Sequence, residues 1–265
     1  MPLNFNGQTA VIVGATTDLG AALAAFLRER GATVHADDAS TALTDTGHRA
    51  LIERAAAESG RIDILATARE ADTSGDFART SDVEFADQLR THLQSVFWAL
   101  RAAIPKMRAA GYGRILTCIS SLGAFGAGGD VGVAAAHAGV IALMKSAAAA
   151  NRDLNLRVNA LASIASTHAT AAFFDDHPQL DRSVFALNKI LPAASYLCHA
   201  DCSQSGQVFS AGGDRFAKLF TGATLGAFLP GLSDDAFAAA LEEIGDRQTH
   251  LVPASMADEL ILVPV

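Results

Sequence analysis

Short apolar runs alternate with longer stretches of helical spacing along most of the chain. Thr9 to Val13 is an apolar run, Gly14 to Gly20 a glycine turn, and Ala21 to Arg30 a helical pattern closed by Gly31. Thr33 to Ala36 predicts a second strand, His48 to Ser59 a helix, and Ile62 to Ala66 a strand. Only a vestigial third strand, Ser40 to Thr44, fits between the second strand and that helix. From Asp82 to Ala110 the apolar residues Phe85, Leu89, Leu93, Val96, Phe97, Leu100 and Ile104 recur at helical spacing, with Pro105 placed to kink the end. Gly113 to Ile119 and Asn155 to Ala162 are strands flanking an alanine-rich helix, Val131 to Asn151. Beyond them come a loop with short helical pieces to Asp181 and a helix from Ser233 to Ile244. Strands alternating with helices predict an α/β fold: a single doubly wound parallel sheet of Rossmann type with helices on both faces. One domain is expected over residues 1–265, with a C-terminal extension at 214–265.

Composition narrows the function classes. The 265 residues are 50% hydrophobic, enough for a buried sheet, and 20 Lys and Arg against 28 Asp and Glu leave a net charge of -8. That balance argues against a nucleic-acid partner. Cys118, Cys198 and Cys202 match no disulfide framework and no paired zinc motif, so reduced thiols and no metal are expected. Met1 to Gln8 lacks the pattern of a signal peptide, and His137 and Lys145 interrupt the apolar helix, so a cytoplasmic location without membrane insertion is expected.

The turn V-G-A-T-T-D-L-G at Val13 to Gly20 stands between a strand and a helix, where free backbone N–H groups and the helix dipole suit a pyrophosphate. Asp18 adds bulk and charge there, and is well placed to cap the helix. An acidic residue after the second strand suits ribose hydroxyls and selects NAD over NADP; Asp38 fills that place, with Asp37 the alternate register and a solvated strand end the structural alternative.

The stretch S-S-L-G-A-F-G-A-G-G-D-V-G-V-A-A-A-H-A-G-V-I-A-L-M-K from Ser120 to Lys145 resembles the catalytic segment of the short-chain dehydrogenase/reductase family. In that family a serine, a tyrosine and a lysine stand where this chain has Ser120, Val133 and His137. His92 occupies the place of the usual catalytic asparagine, and a packed histidine is its structural alternative. The turn resembles the family's T-G-x-x-x-G-x-G, which implies that Gly14, Leu19, Gly20 and Asp38 would contact NAD. From Leu191 to Gly213 the run L-P-A-A-S-Y-L-C-H-A-D-C-S-Q-S-G-Q-V-F-S-A-G-G is similar to the (3R)-hydroxyacyl-CoA dehydrogenase portion of type 2 multifunctional enzymes, a group that also has histidine at the place of His92.

Four cofactor-contacting features depart together from the family pattern: Asp18, the shortened third-strand region, T-A-R-E at Thr67 to Glu70 in place of N-N-A-G, and the missing lysine. Three readings compete. The leading one is a non-catalytic subunit pairing with an active 3-hydroxyacyl-CoA or related dehydrogenase, which predicts an exposed apolar face on the two long helices that form the subunit interface in relatives. The alternative is an atypical NAD-dependent oxidoreductase acting on an acyl-CoA or bulky cyclic substrate through Ser120, His137 and His92. A further alternative is a nucleotide or acyl-CoA binding protein without turnover. Either a homo-oligomer or a hetero-oligomer is compatible with the pattern. A cleft plugged by Arg69, Glu70 or Phe125 would count against the last two readings.

Overall fold

The computed structural model describes residues 3–38, 43–70, 75–126, 128–231, 233–253 and 258. Its backbone forms two compact units, Met1–Lys218 and Leu219–Val265. In the first unit, β1 (Thr9–Val13) is buried along its whole length. It pairs in parallel with β2 (Thr33–Ala36) on one side and β3 (Ile64–Thr67) on the other, with Ala10 opposite Val34 and Ile64. The parallel sheet continues through β4 (Gly113–Ile119), β5 (Leu156–Ser163) and β6 (Val208–Gly212). Gly213 and Asp214, at φ 61° and 59°, then turn the chain into β7 (Arg215–Leu219). The strand order is β2-β1-β3-β4-β5-β6-β7, so β2 is an edge among the described residues. The expected third strand at 40–44 lies largely outside those residues.

Helices cover both faces, as a parallel sheet buried on two sides requires. Helix α1 (Asp18–Glu29) turns Leu19, Leu23, Ala24 and Leu27 inward, into a core shared with α8 (Leu191–Cys198). Helix α2 (Asp45–Ser59) begins three residues before the expected His48, because Thr44 caps it by accepting from Gly47 N at 3.1 Å. The expected long helical region comprises α3 (Asp82–Gln88), a π-helical turn at Leu89–Gln94 and α4 (Ser95–Ala110). Pro105 does not end α4, which runs on to the left-handed Gly111. A short α5 (Leu122–Phe125) leads into α6 (Val131–Ala149).

Helix α6 is long and apolar enough to cross a membrane by length and composition. It packs instead on β5 and the π-helical turn, turning Val133, Ala136, His137, Val140 and Met144 inward. A Cβ on Gly139 would stand 2.9 Å from Leu93 Cδ1, so glycine sets how closely α6 approaches the turn. The segment after β5 carries α7 (Ala171–Asp176) and two short 3₁₀ turns. Cys198 closes α8 and Cys202 lies beyond it; both are buried free thiols, as is Cys118. The second unit pairs β8 (Ala223–Thr224) with β9 (His250–Leu251). Its expected single helix is two, α9 (Asp234–Ala239), capped by Ser233, and α10 (Leu241–Ile244).

Candidate functional site

The site is built where β1, β2 and β3 end together. Gly14, at φ 92°, turns the chain from β1 toward α1, and a Cβ there would stand 2.6 Å from Arg69 N. A Cβ on Gly20 would stand 2.0 Å from Gly14 O. Both glycines are therefore required by backbone packing, whatever the turn binds. Thr17 caps α1, accepting from Gly20 N at 3.2 Å and donating to Gly14 O and Ala68 O at 2.8 and 2.7 Å. The expected cap, Asp18, is the first helical residue. Its carboxylate instead accepts from the backbone N and Nδ1 of His168 at 2.7 and 2.8 Å, and those bonds lower its pKa.

Every amide expected to meet a dinucleotide for which a bond is seen already carries a partner from the same chain. Asp37 Oδ1 accepts from Gly14 N and Ala15 N at 2.8 and 2.7 Å, and its Oδ2 lies 2.9 Å from Gly14 N. Glu70 Oε2 accepts from Leu19 N at 3.0 Å. Arg69 closes the arrangement, donating to Asp37 Oδ2 at 2.7 Å and through Nε to Ser95 Oγ at 3.2 Å. Behind it, His48 Nδ1 lies 2.7 Å from Thr44 O, and His48 Nε2 lies 2.8 Å from Ser95 Oγ. A carbonyl only accepts, so the His48 proton is on Nδ1, and Ser95 donates to Nε2 while accepting from Arg69. Burial, the largest cause, lowers the pKa of His48, which favours this neutral form.

The inward carboxylate is thus Asp37 rather than Asp38, which is exposed; Asp37 N continues the strand by donating to Ile12 O at 3.0 Å. The choice of register was not visible in two consecutive aspartates. T-A-R-E announced a mismatch, but not that Arg69 and Glu70 would reach back across the turn. Nothing in the local sequence pointed to His48 or Ser95, which reach the site from α2 and α4.

The second half of the site lies at the end of β4. Ser120, His137 and His92 do come together: Ser120 N donates to His137 Nδ1 at 3.0 Å, and the His92 and His137 rings meet edge to face at 5.4 Å. Both rings are buried. His92 lies within the π-helical turn, a local widening of the helix that often marks functional positions. Val133 is 1% exposed and offers no polar atom. Burial, aided by the neighbouring His92, pushes the pKa of His137 down to about 3.

In this arrangement His137, expected as an acid/base group, is a neutral acceptor. Its Nδ1 lone pair already holds a backbone N–H, and its imidazolium does not form near neutral pH. Ser120 Oγ accepts from Leu122 N at 3.2 Å and remains partly exposed. Phe125 is 74% exposed and plugs nothing. Burial and the charge of Glu70 push the Cys118 thiol up to about 12, so it is not a nucleophile. Among the described residues no group of His, Cys, Asp and Glu is placed to hold a metal.

The parallel sheet, the glycine turn at the strand ends and the serine after β4 define a dinucleotide-fold oxidoreductase architecture. The chain belongs to the short chain dehydrogenase family, whose sequence profile matches residues 38–177. It is 28% identical to peroxisomal multifunctional enzyme type 2 of Mus musculus over 86% of this chain, and spans 35% of that relative's length. It is 31% identical to the 3-oxoacyl-acyl-carrier-protein reductase of Escherichia coli, over 66% of this chain and 80% of the relative. Among solved structures, full-length peroxisomal multifunctional enzyme type 2 of Drosophila melanogaster superposes with a TM-score of 0.80 at 22% identity, covering 97% of this chain and 48% of that one.

The family's dinucleotide can be tested against these residues. Its pyrophosphate needs the Leu19 amide, and its ribose needs a free carboxylate after β2. The first is held by Glu70; of the two aspartates after β2, Asp37 is held by two amides and a guanidinium, while Asp38 is exposed. An incoming phosphate would meet Glu70 as a like charge on the same donor. The Leu19 amide as arranged does not fit the cofactor's pyrophosphate.

Proposed function

We propose that this chain is a non-catalytic subunit of the short-chain dehydrogenase/reductase fold that pairs with an active family member acting on 3-hydroxyacyl-CoA or related substrates. One observation carries the reading. At the position where the family transfers a proton stands Val133, sealed at 1% exposure, and the nearby imidazole of His137 is held neutral on the Ser120 amide. Hydride transfer to a carbonyl leaves an alkoxide that requires a proton, and general acid assistance supplies about 10²- to 10⁴-fold in rate. Ser120 alone, with a hydroxyl far from neutral pKa, does not replace it. The occupied Leu19 amide weighs in the same direction.

The pairing half of the reading is supported by the surface of the two long helical regions. Val83, Phe85 and Phe97 are 70%, 38% and 41% exposed, and Ala135, Ala138 and Ala142 of α6 are exposed as well. Large apolar side chains on helices that relatives use for assembly are what a subunit needs for a partner. Similarity to multifunctional enzyme type 2 and to an acyl-carrier-protein reductase suggests a partner that handles acyl thioesters.

The test is to assay the purified chain alone with NADH or NADPH and 3-oxoacyl-CoA esters, then mix it with an active 3-hydroxyacyl-CoA dehydrogenase of the family in sedimentation velocity. No turnover alone and a new hetero-oligomeric species are expected. Turnover proportional to the chain's concentration overturns the non-catalytic reading; a chain that forms only homo-oligomers overturns the pairing.

A further inference from the structure

We infer that this fold carries its own anionic ligand: the Glu70 carboxylate holds the Leu19 amide that a dinucleotide's pyrophosphate would meet, and Asp37 is taken up by the turn's own amides and Arg69, so the folded chain is complete without a nucleotide. The inference starts from the needs of the turn. A helix leaves its first N–H groups without intrahelical partners, and the dipole of α1 favours negative charge at that end. In a fold that binds a nucleotide, the phosphates satisfy those groups. Here Glu70 supplies one oxygen to Leu19 N at 3.0 Å, and Asp37 supplies its carboxylate to Gly14 N and Ala15 N at 2.7 to 2.9 Å. Two carboxylates thus serve one glycine turn, from two different strand ends.

A chance contact would not be buttressed, whereas this one is. Asp37 is 5% exposed, and a buried carboxylate requires a countercharge, which Arg69 provides at 2.7 Å. Arg69 is in turn fixed by Ser95, and Ser95 by His48, whose Nδ1 rests on the Thr44 carbonyl at the cap of α2. Every donor in this chain of bonds meets an acceptor. Arg69, Ser95 and His48 are positioning residues, acting through Asp37. The neighbouring residues explain the placement: Arg69 and Glu70 are adjacent after β3, so one extended step sends the cation to Asp37 and the anion to Leu19.

The consequence is a latent anion site. Removing the Glu70 carboxylate frees the Leu19 amide at the head of a twelve-residue helix and removes the like charge that repels a phosphate. The inference rests on the reading above only in treating the nucleotide as dispensable, and its test does not use turnover.

Thermal unfolding of the full chain is followed with and without inorganic pyrophosphate, with sodium chloride at matched ionic strength as the control. The wild-type midpoint is expected to be unchanged by pyrophosphate or NAD. Glu70→Ala should lower the midpoint by roughly 3 °C and acquire a saturable rise with pyrophosphate, roughly 3 °C or more at ten times the dissociation constant. Glu70→Gln, which keeps an oxygen for the Leu19 amide and removes the charge, should lose less and gain less. It preserves the test if the alanine variant does not fold. Saturable stabilisation of the wild type by pyrophosphate or NAD overturns the inference, as does a folded Glu70 variant that gains nothing from pyrophosphate. Turnover by the wild type with no nucleotide effect on its midpoint would instead sink the non-catalytic reading alone.

Discussion

The two ends of the site are closed by opposite physics. At the glycine turn, closure is made of charge: Asp37 and Glu70 hold backbone amides and Arg69 pairs with Asp37, with Ser95 and His48 behind it. At the end of β4, closure is made of lost polarity: Val133 fills the proton donor's place, and a buried imidazole is kept neutral against the Ser120 amide. A polar closure is held by a few directed bonds, each of which leaves an unsatisfied group behind when cut. An apolar closure is held by contact area, and its loss leaves a small cavity. The first end can therefore be reopened by a single change, while the second would need a proton donor built from nothing.

The sharpest way to break this comparison is to cut each closure at its centre. Arg69→Ala leaves the carboxylate of Asp37, with a side chain 2% exposed, without its cation. Breaking a buried pair from one side costs about 3 to 5 kcal/mol, and the two amides that remain on Asp37 place the expected loss near about 3 kcal/mol. Val133→Ala removes only buried methyl groups and should cost about 1 to 2 kcal/mol. Urea unfolding of both variants, with slopes compared to confirm equal exposed area, measures the difference. A larger loss for Val133→Ala than for Arg69→Ala would reverse the assignment of the two ends.

Much of this was legible in the sequence, for reasons that differ by region. The strands β1 and β4 stand out as apolar runs bounded by turn residues because buried parallel strands are apolar on both faces, and β1 and β2 both fall on the expected residues although β2 is a partly exposed edge among the described residues. Gly14 and Gly20 were legible as a motif, but the motif did not show the backbone packing that also requires them. Both are fixed by the approach of Gly14 to Arg69 and of Gly20 to Gly14, whatever the turn binds. What could not be read were contacts between residues far apart in the chain, Asp37 with Arg69, Ser95 with His48 and His168 with Asp18. Their side chains are ordinary in local context and gain meaning only when β2, β3, α2 and α4 meet. His137 was the opposite case: its place in the motif suggested chemistry, and its burial and its bond from the Ser120 amide were not legible there.

The next test sharpens the apolar end through pH. The folded pKa of His137 is about 3, below its ordinary value of 6.5. Below pH 6.5 the unfolded chain binds a proton that the folded chain does not, so stability is complete above that value and is lost as pH falls toward 3. From pH 7 to pH 5 this one group should remove about 2 kcal/mol. His48, whose pKa is lowered by burial, acts in the same direction. The carboxylate of Asp18 is already ionised throughout this interval, because its pKa lies below the ordinary 3.8. His137→Gln should therefore flatten the acid limb of a stability curve measured by urea unfolding across this range. An unchanged slope would mean that His137 protonates in place and belongs with the polar end.

The smallest expected effect decides where the polar closure stops. Asp18 stands at the family's middle glycine and, by charge alone, is as able to repel a phosphate as Glu70. Its carboxylate, however, turns away to the His168 backbone N and Nδ1, and the His168 side chain is 97% exposed. A solvated pair of this kind, with the helix dipole, contributes about 0.5 to 1 kcal/mol and is weakened by salt. Asp18→Gly should cost about that much in urea unfolding, and the cost should shrink in concentrated sodium chloride. More importantly, it should leave the protein as indifferent to pyrophosphate as the wild type, because Glu70 still holds the Leu19 amide. If Asp18→Gly alone made the midpoint rise saturably with pyrophosphate, the barrier to anions would be the charge at the helix start. Glu70 would then be only a filler of the amide, and the boundary of the polar closure would move out to the α1 surface.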